Sequence, residues 1–79
     1  MDRAPHPLLQ RIDLSADACG GVARIKGTRV DVSIILDSLA DGMTQEEILD
    51  HLPQLTKEDI HAAIAYAGEL AREQIWRVA

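Results

Sequence analysis

The sequence predicts a mainly α protein: a three-helix bundle of helix-turn-helix type, preceded by a short N-terminal β-hairpin. Three observations carry this. From Val32 onward, apolar residues recur at spacings of three and four. Helix-start signals of capping-box form stand at Thr44 and Thr56. Before residue 30 the pattern instead alternates polar and apolar around a pair of glycines.

In chain order, residues 1–10 hold Pro5, His6 and Pro7 and read as a flexible lead with no core of its own. Residues 11–79 read as one domain. Arg11-Ile12-Asp13-Leu14 has a strand's alternation, Asp17-Ala18-Cys19-Gly20-Gly21 a turn's composition, and Val22-Ala23-Arg24-Ile25-Lys26 is extended again. The resulting hairpin, over 11–26, is marginal unless it docks on something. The first helix spans about 32–41: Val32, Ile35, Leu36 and Leu39 form its apolar side, Asp31 or Ser33 can cap it, and Gly42 sits where a left-handed C-terminal cap belongs. The second spans 45–51, opened by Thr44-Gln45-Glu46-Glu47 and stopped by Pro53. The third spans 57–77, roughly 30 Å at about 1.5 Å per residue. Its core stripe is Ile60, Ala63, Ile64, Ala67, Ala71 and Ile75, flanked by Leu70. Ala62, Ala65, Glu69 and Trp76 fall on the other side, which is read as an oligomer interface; for Trp76 a ring folded over its own domain is the equal alternative.

Seventy-nine residues exclude a two-domain enzyme, a full dinucleotide-binding fold and a barrel. At 47% hydrophobic and 27% charged, the chain reads as globular rather than disordered. With Tyr66 and Trp76 as the whole aromatic complement, a stacking platform for single-stranded nucleic acid is excluded. Cys19 is single, so no internal disulfide can form, and no signal peptide or membrane-length apolar run is visible; the expected location is cytoplasmic. A core this small, with neither disulfide nor metal, is expected to gain stability by self-association.

No catalytic constellation stands out, and the chain is read as a non-enzyme without cofactor. Ser15, Ser33 and Ser38 lack a nucleophile signature, and Cys19 reads as a small structural thiol. His51 and His61 lie ten positions apart on different helices and make no metal pair. Glu46-Glu47 and Glu58-Asp59 sit in first helical turns, where the helix dipole accounts for them. Gly20-Gly21 and Gly27 lack the Lys and Ser/Thr order of a phosphate loop.

Charge is divided unevenly. Residues 1–30 carry five basic against three acidic side chains, a balance of +2, and residues 31–79 three against ten, a balance of −7. The segment with positive content is Arg24-Ile25-Lys26-Gly27-Thr28-Arg29. Arg24, Lys26, Thr28 and Arg29 are candidates for gripping phosphates or a carboxylate-lined partner. The alternative is an ordinary solvated strand face, with Gly27 making a turn, Thr28 bonding the backbone near the helix start and Arg29 reaching helix carboxylates. The third helix opens with Lys57-Glu58-Asp59, two carboxylates where a recognition helix meets phosphates, so any DNA contact is expected from the basic segment instead.

Cys19-Gly20-Gly21 followed by Ile25-Lys26-Gly27-Thr28-Arg29-Val30 resembles the hallmark of domain-of-unknown-function family 433. Leu39-Ala40-Asp41-Gly42, Glu46-Glu47-Ile48-Leu49, Pro53-Gln54-Leu55-Thr56 and Glu58-Asp59-Ile60 follow in matching order, so the resemblance covers about residues 11–73. It departs at Val22-Ala23, where the family usually carries Lys-Pro. The family is similar to VapB-type antitoxins. The resemblance implies a homeodomain-like helical fold, a homo-oligomer (dimer or higher), association with a PIN-like nuclease toxin, and operator DNA as a further partner; no membrane partner is expected. Three functions are thus in view: an antitoxin-like component of a type II toxin–antitoxin module, a stand-alone DNA-binding regulator, and an assembly module without a nucleic-acid role.

Overall fold

A computed structural model describes residues 6–14 and 22–78, with side chains as far as Arg72. The order is a 3-10 turn (Pro7–Arg11), strands β1 (Ile12–Asp13) and β2 (Arg24–Ile25), and helices α1 (Val32–Ala40), α2 (Gln45–His51) and α3 (Lys57–Val78). The chain is mainly helical, with three helices and a small antiparallel sheet near the N-terminus.

β1 and β2 pair with Ile12 opposite Ile25 and Asp13 opposite Arg24. The alternation then turns both isoleucines inward, where they are 6% and 1% exposed. A two-residue ladder is unstable alone; here it is held by the core beneath it. Val30, Val32, Ile35, Ile48, Leu55, Ile60, Ala62 and Ala63 complete that core, with Leu36, Leu39, Leu49, Leu52 and Tyr66 half-buried around it.

The helix ends follow the residues that mark them. Gly42 takes φ +92° and closes α1, as its N–H bonds the Leu39 carbonyl and the Met43 N–H bonds that of Ser38. This is the paired geometry of a Schellman cap. Asp31 is the N-cap of α1 by position, without a side-chain bond to the helix. Thr44 and Glu47 form a full capping box on α2, at 3.1 and 2.8 Å. Thr56 and Asp59 do the same for α3, at 3.0 and 3.3 Å.

Two expectations need correcting, and they share one cause. The described part of the lead is an ordered turn: His6 caps it through Nδ1, and Leu8 and Leu9 pack on the core. This turn lies along α3, with Arg11 reaching Asp59 at 3.1 Å. As a result, α3 is covered on two sides at its N-terminal end. Ala62, assigned to an oligomer interface, is fully buried inside its own chain. Ile64, assigned to the core, is 44% exposed, and Ala71 is also exposed. Ala65 and Glu69 are half-buried; the side chain of Trp76 and the Cys19-Gly20-Gly21 turn lie outside the described residues.

Candidate functional site: a basic turn beside an acidic helical surface

The local chain path explains the basic turn. The Ile25 N–H bonds the Val30 carbonyl at 3.0 Å, and the Val32 N–H bonds that of Ala23, so β2 has neighbours on both edges. Between them the chain must reverse within four residues. The Thr28 N–H bonds the Ile25 carbonyl, and Gly27, third of the four, takes φ +78°. That is the position at which a type II turn requires a positive φ. Thr28 fastens the turn: its hydroxyl donates to the Ile25 carbonyl at 2.9 Å and accepts from the Val30 N–H at 3.1 Å. Both functions of the hydroxyl are thereby used within the chain. Of the candidate contact residues, Thr28 is a structural clip.

The three cations of the segment are placed differently. Arg24 is half-buried, with its Nε 3.8 Å from Asp13, the residue opposite it in the ladder. Lys26 and Arg29 are exposed and form no ion pair among the described residues; the expected reach of Arg29 to helix carboxylates is not made. Arg24, Gly27, Thr28 and Arg29 line a concavity of about 400 Å³ open to solvent.

The helices carry the opposite charge. Between Arg29 and Lys57 the sequence has six carboxylates and no lysine or arginine. Asp37, Asp41, Glu46, Glu47 and Asp50 are exposed, and none of them is in an ion pair among the described residues. The carboxyl of Glu47 is held below its ordinary value, first by the backbone N–H of Thr44 and then by the Thr44 side chain. Asp59 behaves unlike its neighbours. It is 6% exposed and accepts from both Arg11 and the Thr56 N–H. The start of α3 therefore displays Lys57, Glu58 and His61, one carboxylate fewer than the sequence suggests.

His61 meets Gln45 of α2 at 3.3 Å rather than a metal-ligand partner, and no group of three His, Cys, Asp or Glu among the described residues could hold a metal ion. A second concavity, about 350 Å³, lies between the lead and α3, lined by Leu9, Ile12, Leu14, Tyr66, Glu69 and Leu70. Glu69 at its rim is paired with Arg72. No described helix is long and apolar enough to cross a membrane.

Comparison with known proteins bears on the fold and the family. No curated protein matches the chain. A crystal structure of a DUF433 member protein from Anabaena variabilis ATCC 29413 superposes with a TM-score of 0.70 at 39% sequence identity, covering 85% of this chain and 65% of that one. The chain thus spans less than two-thirds of that protein's length. The family model DUF433, described as a protein of unknown function, matches residues 12–67, from the first strand to the middle of α3. With the Gly-Thr-Arg turn, the two capped helices and the sheet all inside that match, the chain belongs to the DUF433 family.

Proposed function

We propose that the chain is an antitoxin-like component of a type II toxin–antitoxin module. In this reading it is a homo-oligomer that binds a PIN-like nuclease toxin and meets its operator DNA, acting by binding rather than by catalysis. The observation that supports it most directly is the cation-free run from Val30 to Thr56, with its exposed carboxylates on the end of α1, the connecting turn and α2. A ribonuclease holds an RNA backbone with cations, and a surface rich in carboxylates competes for those same cations. DNA repels such a surface. The nucleic-acid contact is assigned instead to the turn carrying Lys26 and Arg29, which are exposed and not neutralised by described neighbours.

The test is co-expression with a PIN-like nuclease, taken from the neighbouring gene where that gene encodes one. Growth should be restored by the native sequence and not by Asp37→Lys/Glu46→Lys/Asp50→Lys, a triple variant confined to exposed positions. Restoration by the triple variant would remove the acidic surface from the account, and no restoration by the native chain would end the antitoxin reading. A stand-alone DNA regulator is the second reading, favoured by the exposed Lys26 and Arg29. It predicts an operator gel shift that Lys26→Glu/Arg29→Glu abolishes, with no nuclease partner required.

A further inference from the structure

We propose that the turn closed by Ile25 and Val30 is a clasp for a single phosphate group of a nucleic-acid backbone. The inference deepens the operator-DNA part of the proposed function and rests on it. It is independent of the nuclease partner.

The chemistry of the concavity favours a tetrahedral oxyanion. Two of its four described lining residues are arginines, whose planar guanidinium groups match phosphate oxygens in pairs. Arg24 is tethered by Asp13 and half-buried, so its position is set before a ligand arrives. Arg29 lines the same concavity, is exposed, and forms no ion pair among the described residues. Between them, the backbone N–H groups of Gly27 and Arg29 make no hydrogen bond among the described residues, whereas those of Ile25, Lys26, Thr28 and Val30 are all engaged. The two open N–H groups flank the bonded N–H of Thr28, so each adds a separate donor at the turn beside the arginines. A Cβ at Gly27 would meet nothing within 4 Å, so the space beside its Cα is open.

Shape and charge choose among sources of phosphate. The concavity is open on its outer side and, among the described residues, has no aromatic wall on which a base would stack and no further polar side chain to read a sugar or base. It holds one charged group and leaves the rest of the ligand outside. Lys26, exposed next to it, is placed for a neighbouring phosphate on the same strand. A chain of net charge −5 has no general attraction for DNA, so binding depends on a few local contacts. The salt dependence of each turn should then be shallow, with a log–log slope of about −2 to −3.

The test is titration of the isotope-labelled chain with a short mixed-sequence DNA duplex at low salt, with inorganic phosphate and poly-glutamate as separate arms. The duplex should move the Gly27 and Arg29 amide resonances saturably. Lys26→Ala/Arg29→Ala should weaken the duplex roughly tenfold and reduce the salt slope by about 2. Lys57→Ala, an exposed cation at the start of α3 and outside the lining of the concavity, should do neither. Both clasp substitutions are at exposed positions, and an unchanged helical circular-dichroism spectrum confirms that each variant is folded. Inorganic phosphate should move the same two resonances more weakly than the duplex. Equal potency of poly-glutamate would reassign the turn to a carboxylate partner and overturn the proposal. So would phosphate that the duplex cannot displace, which marks a small phosphorylated ligand. If Lys57→Ala loses the duplex and the double variant keeps it, the clasp is wrong while the DNA reading stands. If no duplex binds at all, both fall.

Discussion

Asp59 shows how much one side chain can organise. One of its oxygens accepts from the Thr56 N–H at 3.0 Å and starts α3; the other accepts from Arg11 at 3.1 Å and ties down the lead. A carboxylate that is 6% exposed is stable only when its oxygens are satisfied, and here they are. Replacing Asp59 with Ala removes the cap and the tether together, and urea unfolding should show a loss of about 2–3 kcal/mol. Glu58→Ala, one residue away and exposed, should stay within about 0.5 kcal/mol. Equal effects would mean that neither the cap nor the tether contributes. The capping role of Asp59 is legible in the sequence from its distance to Thr56. Its second role is not, because nothing in the order of residues says that Arg11, forty-eight positions earlier, lies beside it. The same holds for Asp13 and Arg24, which are brought together only by the register of the ladder. By contrast, the conformation of Gly27 is legible, since a reversal between two extended segments needs a positive φ and glycine is the residue that takes it.

At the scale of elements, the helix boundaries are the most readable feature, because each is written in local chemistry: Thr44 and Thr56 at starts, Gly42 and Pro53 at ends. The orientation of α3 is not local. Periodicity finds a stripe, but Ile60, Ala62 and Ala63 are all fully buried because the lead and α1 both pack on this helix. Leu8-Leu9, two apolar residues after a proline, were the available sign that the lead has a face to bury. The corrected face has a direct consequence. Ile60→Ala should cost about 2–5 kcal/mol, whereas Ile64→Ala, a turn later and 44% exposed, should cost under about 1 kcal/mol, as read by thermal or urea unfolding. A reversed order would restore the stripe expected from periodicity. α2 gives a prediction in pH. The Glu47 carboxyl is lowered from 4.5 by its bonds to Thr44, so its contribution is fully present above that value and is lost as pH falls through the lowered one. Thr44→Ala removes the hydroxyl bond to Glu47 N–H and weakens the box; melting temperatures followed from about pH 7 to about pH 3 should fall less steeply below 4.5 in the variant than in the native chain. Parallel curves would separate Glu47 from the acid limb.

For the whole molecule, the division of charge is the feature on which the proposed function rests. A +2 leading segment and a −7 helical remainder are plain in the sequence. Folding trims the contrast without removing it: Asp59 is turned inward against Arg11 and Arg24 is drawn to Asp13, while Lys26, Arg29 and the α1–α2 carboxylates stay exposed. The interface expected on α3 loses Ala62 to the core, so the proposed self-association is assigned to other surface, and sedimentation of Ile64→Glu tests the exposed flank of that helix. An unchanged oligomer would exclude that flank. The measurement that bears most directly on the proposed function is calorimetric titration of the proposed PIN-like nuclease partner with the folded chain at two salt concentrations. A saturable interaction that weakens as salt rises, and that Asp37→Lys/Glu46→Lys/Asp50→Lys abolishes, is the predicted result. No heat of binding at low salt, or binding indifferent to the charge reversal, would contradict it.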